Sequence, residues 1–598
     1  MASPPRFLPS RAPRRTTIVS RSLQALPIVK LTPSKNRLLL VWLVLLTGIF
    51  LLGVNLFRLQ IQQGSSLQQL AQQQQLQLLR PFVPRRSIQD RTGNVIAVDR
   101  PVFSLFAHPA LFKESKATIA EKLSPLLNRP AAELVKRFDE RETGVRLEYA
   151  ISEDVGDRIE RLAIDGLERS QAQQRLYPQK ELMGGIVGYV NDEHIGQAGL
   201  ELSQQKLLER SVKTTRLRRM GNGSVMPDQV PGGFLDVDDL HLQLTLDARL
   251  QRLAQTALKN QIKAFSAKRG TIIVMDVQDG SLLVLASEPS YDPNQYYKFP
   301  IERYKNWALT DLYEPGSTFK PINVAIALEA KAIKPTDVFD DPGEIMVAGW
   351  PINNAGSGGR GAISITEIVK YSSNIGMVRI VQQMKPSVYY DWLMKLGLGK
   401  SVGIDLPAEV AGQFKDRKTF IESGIEPAVT SFGQGFSLTP IQLVQLHAAL
   451  ANGGKLVTPH VVQGLFDSKG QPYWQPNLGT PKQVFSQATS QTVLPMMEAA
   501  VQEGTGKTGQ VAGYRIGGKT GTAQKASSSG GYSDRALITS FVGILPIDSP
   551  RYVVLAVVDE PQGGSVAGST VAAPIVKTIM ESLITIEKLG PGAPKQAG

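Results

Sequence analysis

Two residues in Glu314–Ile322, EPGSTFKPI, could do chemistry together: Ser317 and Lys320. Pro315 and Gly316 mark a turn, and the run PINVAIALEAKAI reads as a helix. Pro321 fits only in the first turn of that helix, where backbone N–H groups have no intrahelical partner. Ser317 is therefore expected at a helix N-terminus, with Lys320 projecting from the same face. A serine hydroxyl is a poor nucleophile until a base takes its proton. Lysine can be that base where burial or a nearby cation lowers its pKa, and a helix N-terminus helps stabilise the oxyanion formed on attack. By itself Ser-x-x-Lys is also an ordinary surface-helix pattern.

A second stretch, KYSSNIG, places Ser372 and Asn374 just after the amphipathic ISITEIVKY. The pair offers a hydroxyl for proton relay and an amide for a substrate carbonyl; its bland alternative is a helix-end cap. The third stretch, GYRIGGKTGTAQK (Gly513–Lys525), satisfies the phosphate-loop pattern G-x-x-x-x-G-K-[ST]. A phosphate loop needs a helix opening at its lysine. Downstream of Lys519 the chain runs TGTAQKASSSGGYSD, too rich in small residues and glycine for a stable helix. The stretch is better read as a strand. There Lys519, Thr520, Gly521 and Thr522 would offer a cation, hydroxyls and open backbone to an extended peptide ending in a carboxylate. A second GKTG, Gly506–Gly509, has no strand-like run after it and is set aside.

Positioning these stretches requires a sheet. RGTIIVMDVQDGSLLVLASEP (Arg269–Pro289) is two β-rich runs around Asp279-Gly280, a strong hairpin signal. ALITSFVGILPID and RYVVLAVVDEP read as another antiparallel pair, with GYRIGGKTGTAQ as a third late strand and Val571–Lys588 as a helix. Early and late strands would share one antiparallel sheet, giving an α+β domain. Upstream, residues 85–237 mix strand-like VFSLFAHP with helical AAELVKRF and read as a spacer or docking module.

Composition narrows the chemistry. A chain of 598 residues is long enough for more than one domain. It has no cysteine, which removes disulfides, cysteine-based zinc sites and a thiol nucleophile. His108, His194, His241, His447 and His460 are scattered without H-E-x-x-H spacing, and G-x-S-x-G does not occur, so neither a metal site nor a Ser-His-Asp esterase is expected. The net charge of +13 is local: residues 1–37 hold eight basic and no acidic residues, so only five of those charges belong to the rest, and no nucleic-acid role is implied. The uncharged run Leu38–Phe57 is about the ~20 residues a membrane-crossing helix needs. Its basic flank places the N-terminus in the cytoplasm and the remainder outside. Residues 59–80 read as a continuing helical stalk, ended by Pro81 and Pro84.

Order and spacing join the three stretches: Ser-x-x-Lys, then Ser-x-Asn 55 residues later, then Lys-Thr-Gly near the end of the domain. The chain resembles the class B penicillin-binding proteins, most of all their division-specific, septal type (penicillin-binding protein 3). RRSIQDRTGNVIA (85–97), with Arg86 where the family usually has glycine, RLYP (175–178), GQAGLE (196–201), LTLDARLQ (244–251), ASEPSYDPN, SFGQGFSLTPIQL and ANGG carry the likeness beyond the three motifs. The resemblance implies a penicillin-binding/transpeptidase fold, an antiparallel five-stranded sheet flanked by helices. It implies a cytoplasmic tail (1–37), a membrane helix (38–57), a stalk (58–84), an elongated pedestal of dimerisation type (85–237), a transpeptidase domain (238–588) and a flexible tail (589–598). It further implies Ser317 as acylated nucleophile, Lys320 as its base, Ser372 as proton relay and Asn374 as a donor-peptide contact. Lys519 and Thr520 would help bind the substrate carboxylate, Gly521 and Thr522 would be further substrate-binding positions, Lys519 would help keep Lys320 neutral, and the N–H groups of Ser317 and Thr522 would form the oxyanion hole. The implied activity is D,D-transpeptidation of peptidoglycan stem peptides on lipid-linked precursor strands, blocked by β-lactams, without a cofactor, beside a membrane glycan polymerase and other divisome proteins at a bacterial inner membrane. The alternatives are an elongation-specific class B enzyme and a catalytically inactive divisome scaffold.

Overall fold

The computed structural model describes residues 34–67, 76–79, 83–210, 215–218, 237–356, 358–526 and 531–591. Most of the expected cytoplasmic tail and residues 592–598 of the expected C-terminal tail lie outside these. Two compact units emerge: residues 1–80 with 214–234, and residues 81–213 with 235–598.

In the first unit a 23-residue helix, Lys35–Phe57, exposes apolar residues on every side. At 1.5 Å per residue it is about 35 Å long, enough to cross a hydrocarbon layer. Its last turn widens at Arg58–Gln62, where Gln63 N–H donates to the Arg58 carbonyl at 2.9 Å. The expected helix does not run on to residue 80. Leu76–Leu79 is a strand paired antiparallel with Thr215–Arg218. Local helix propensity is a weak prior, and a distant segment offering a ladder of backbone hydrogen bonds overrides it here.

The second unit begins with a mixed sheet. Val95–Ala107 pairs with Ile88–Gln89, Val145–Ile151 and Leu167–Leu176. Helices Lys116–Leu127, Ala131–Phe138 and Glu153–Glu160 cover one part of it through Ile119, Leu123, Leu134, Phe138 and Ile159. The RRSIQD, RLYP and GQAGLE stretches meet in one buried ionic cluster: Arg175 reaches Glu201 at 2.7 Å and Asp99 at 3.1 Å, and Arg85 reaches Glu201 at 2.9 Å. These buried charges are mutually paired, which is what keeps them tolerable away from water. Arg86, the departure from the family pattern, pairs with Asp238 at 2.7 Å. His241–Leu244 then joins the same sheet, parallel to Ile88–Gln89 and antiparallel to Val462–Phe466.

A five-stranded antiparallel sheet forms the C-terminal part, in the order Gly517–Ala526, Tyr532–Leu545, Tyr552–Asp559, Arg269–Asp276, Leu282–Glu288. The expected union of early and late strands is present, and the Asp279-Gly280 turn links the early pair. Gly280 has φ +90°, and a Cβ there would come within 2.3 Å of the Thr458 carbonyl oxygen. Both faces are covered. Ile272 and Val274 pack with helices Ala248–Ala264 and Ala573–Ile586, while Ile273 and Met275 face the core that holds Ile322, Leu443 and Val444. Burial on both faces is why Tyr552–Asp559 is apolar almost throughout, without alternation. The apolar C-terminal helix is committed to this core through Ile575, Val576, Ile579 and Met580.

Candidate active site

Ser317 lies in a tight turn, Gly316–Phe319, that leads into the helix Lys320–Glu329, with Pro321 in its first turn as expected. The turn is fixed from three directions. Gly316 N–H donates to the Gly433 carbonyl at 2.9 Å, Thr318 Oγ1 donates to the Pro315 carbonyl at 2.6 Å, and His447 Nε2 hydrogen-bonds the Thr318 carbonyl at 2.9 Å. Burial pushes His447 down to about 4, so it is a neutral ring under the turn. The edge strand Gly517–Ala526 presses on the same turn at Gly521. A Cβ there would sit 2.4 Å from Ser540 Oγ, 3.0 Å from Thr318 Cγ2 and 3.2 Å from the Pro315 oxygen, so only glycine permits the approach.

The Ser-x-Asn residues occupy a junction between two helices, Ile365–Tyr371 and Asn374–Val381. Ser372 caps the first in the left-handed region, with φ 62° and ψ 39°. Ser373 caps the second, its hydroxyl accepting from Gly376 N–H at 2.8 Å and donating to Asp341 at 2.8 Å. A non-glycine residue held in the left-handed region stores backbone strain, which at a cleft points to a functional demand. That demand is visible: Lys320 Nζ donates to the Ser372 carbonyl at 2.6 Å and to Asn374 Oδ1 at 2.7 Å, and lies 3.2 Å from Ser372 Oγ. Lys519 Nζ reaches Ser372 Oγ at 3.0 Å. Lys320, Ser372 and Lys519 thus meet from three separate regions of the chain. Lys507, the lysine of the other GKTG, is exposed in a short turn.

Both site lysines are wholly buried. Burial, then the nearby Lys519 ammonium, drives Lys320 far below its ordinary pKa, with Asp341 opposing. Burial pushes Lys519 down to about 7. Both shifts favour the neutral amine, the form in which a lysine can accept a proton. With Lys320 as the base and Lys519 as the partner of a ligand carboxylate, these shifts predict the pH dependence of second-order acylation at Ser317 by an anionic ligand. In acid Lys320 would become protonated and the rate would fall; in alkali Lys519 would lose its charge and its hold on the carboxylate. The profile should be a bell whose alkaline limb lies well below ~10.4, the ordinary lysine value. Stopped-flow acylation from pH 5 to 11 measures it, and a limb at the ordinary value would contradict this assignment.

A cleft of about 670 Å³ brings Ser317, Asn374 and Thr522 together with Trp350, Asn354, Gln434 and Tyr532. Thr520 sits beside Thr505, hydroxyl to hydroxyl at 3.0 Å, and Thr522 Oγ1 accepts from Gly568 N–H at 3.0 Å. Three residues that no sequence pattern singled out support the site. Asp341, with no exposed surface, accepts from Asn354 Nδ2 at 2.8 and 2.9 Å as well as from Ser373. Asn354 Oδ1 in turn accepts from the Asn374 backbone at 2.8 Å. Asn323 donates to the Thr430 and Ser431 carbonyls at 3.0 and 2.8 Å, tying the serine helix to the SFGQG turn. Asp341 and Asn354 belong to no recognisable short pattern; only a buried carboxylate among polar neighbours marks them.

A serine at the cleft on a turn against an edge strand, with two buried lysines meeting at Ser372 Oγ, has the parts of an acyl-transfer site of the active-site-serine class. Residues 270–581 match the penicillin-binding protein transpeptidase domain, and residues 82–229 match the penicillin-binding protein dimerisation domain. The chain belongs to the penicillin-binding protein transpeptidase family. It is 43% identical over 580 residues to the peptidoglycan D,D-transpeptidase FtsI homolog of Mesostigma viride, covering 94% of this chain and 97% of that one. To the peptidoglycan D,D-transpeptidase FtsI of Escherichia coli K12 it is 30% identical over 558 residues, covering 92% and 91%. The structure of penicillin-binding protein 3 from Mycobacterium tuberculosis in complex with aztreonam matches with a TM-score of 0.65 and 26% identity, over 86% of this chain and 98% of that one.

Proposed function

We infer that this chain is a peptidoglycan D,D-transpeptidase of the division-specific, penicillin-binding protein 3 type, working through a serine acyl-enzyme. The observation that carries the reading is the convergence of two buried lysines on Ser372 Oγ beside the Ser317 cleft. Ser317 Oγ attacks the carbonyl of the penultimate D-alanine while Lys320 takes its proton. The N–H groups of Ser317 and Thr522 hold the oxyanion. The proton passes through Ser372 to the departing D-alanine amine as the peptide bond breaks, leaving an ester on Ser317. An amine on a neighbouring stem peptide then attacks that ester, its proton returns by the same path, and Ser317 is released as the cross-link forms. Lys519 and Thr520 hold the donor carboxylate, and Asn374 Nδ2, now on the Asn353 carbonyl at 2.8 Å, can share its second hydrogen with the donor backbone. β-Lactams enter as mimics of the donor and stop at the ester.

The exposed apolar helix Lys35–Phe57 suits a membrane anchor. The basic residues before it favour a cytoplasmic N-terminus, a single pass and an extracytoplasmic catalytic part. A membrane glycan polymerase and other divisome proteins are the natural partners, because the lipid-linked strand must be polymerised beside the cross-linking site. Fluorescent penicillin should label the protein at Ser317, identified by peptide mapping; an unlabelled wild type would sink the enzyme reading. Depleting the protein in its own cells should give filaments, whereas rounded cells would transfer the role to elongation.

A further inference from the structure

Glu314 lies three residues before the nucleophile, and no step of the acyl transfer uses it. Its Oε1 accepts from Gly435 N–H at 3.0 Å and from the Tyr532 hydroxyl at 3.2 Å. These two donors come from the other two segments that border the cleft. Gly435 closes the turn whose Gly433 carbonyl holds Gly316 N–H, and a Cβ on Gly433 would fall 2.1 Å from the Gly316 oxygen. Tyr532 opens the strand that pairs with the Lys-Thr-Gly strand, in register with Ala526, and its ring lines the cleft. One carboxylate oxygen therefore joins the serine turn, the SFGQG turn and the substrate strand pair.

The other oxygen is informative. Among the described residues, Glu314 Oε2 is buried without a hydrogen-bond partner, and so is Glu426 Oε2. Both carboxyl groups flank Gly435, where an added Cβ would meet Glu426 Oε2 at 3.1 Å. Glu426 Oε1 pairs with Lys415 at 3.0 Å. Burial moves Glu314 above the ordinary carboxylate range, against the pull of the Gly435 and Tyr532 hydrogen bonds, with Glu426 adding a smaller push upward.

We propose that Glu314 is a positioning residue for acylation: it fastens the Gly433–Gly435 turn and Tyr532 to the loop that carries Ser317 and so sets the Gly316–Ser317 peptide toward the substrate strand. The proposal rests on the acyl-transfer reading of Ser317. Because the effect is on placement, it falls on the covalent step rather than on prior binding. Glutamine keeps both the oxygen that accepts from Gly435 and Tyr532 and the shape of the side chain. Alanine supplies neither.

The test uses the full chain and a fluorescent penicillin, with saturation kinetics that separate the dissociation constant of the first complex from the acylation rate constant. Glu314→Ala should lower the rate constant at least tenfold while the dissociation constant changes less than threefold, and Glu314→Gln should restore the rate to within threefold of wild type. A Glu314→Ala rate equal to wild type would overturn the proposal. So would a Gln variant as slow as Ala, or a loss confined to the dissociation constant. Rates are referred to folded protein by thermal unfolding of each variant, so that instability alone cannot mimic the result. A wild type that is not acylated at all would instead strike the functional reading on which this one rests.

Discussion

Lys320→Arg is expected to slow acylation of Ser317 by about 10³-fold, within the range that general acid–base catalysis supplies. The proposed role as base asks two things of residue 320. It must be uncharged at neutral pH to accept a proton, and it must place one nitrogen against Ser372 and Asn374 at 2.6–3.2 Å. Arginine keeps its proton under all working conditions and has a planar fork in place of a compact amine. The position is fully buried and faces Lys519, so a permanent second cation is also repelled there. Ser317→Ala supplies the reference: it should abolish covalent labelling altogether while leaving thermal unfolding nearly unchanged, because the side chain borders an open cleft. Rate constants for penicillin acylation and melting curves for both variants check the expectation. A Lys320→Arg protein acylated within tenfold of wild type would mean that another group takes the serine proton.

The second large effect belongs to Asp341. Its carboxylate receives Ser373 Oγ, both contacts from Asn354 Nδ2, and Gly343 N–H at 3.1 Å, with no exposed surface. Asp341→Ala leaves several buried donors without a partner, and each such group costs about 1–3 kcal/mol. A loss of roughly 3 kcal/mol of stability is expected after partial relaxation, read as a shift in the urea midpoint at unchanged slope. Kinetics should change too, since Asn354 carries the Asn374 backbone and Asn374 carries Lys320. The sign of the pH effect is fixed. Asp341 raises the Lys320 pKa, so its removal lowers it further, and the acid limb of the acylation profile should move to lower pH. Asp341→Ala with wild-type stability and an unmoved acid limb would remove Asp341 from the site.

Much of this site was legible because its chemistry is written in short local patterns. Pro321 limits where the helix after the serine can start, and the helix does start at Lys320. Gly-rich sequence after Lys519 forbids a helix, and Gly517–Ala526 is indeed a strand. The hairpin at Asp279-Gly280 and the apolar late strands were readable for the same reason. Asp341, Asn354, Glu314 and His447 were opaque. Each acts by meeting a group far off in sequence: His447 under Thr318, Glu314 against Gly435 and Tyr532. The strand Leu76–Leu79 was misread as helix because its pairing partner begins at Thr215.

From sequence alone came the kinds of groups present: a serine and lysine one helical turn apart, a hydroxyl and amide at a helix junction, and a cation on a glycine-rich strand. Tertiary structure alone decided that Lys320 and Lys519 both reach Ser372, and that neither meets water there. The physical reason is that a lysine's pKa is not a property of its neighbours in the chain. It is set by desolvation and by charges brought close in space, and those exist only once the serine turn lies against the bare backbone of Gly521.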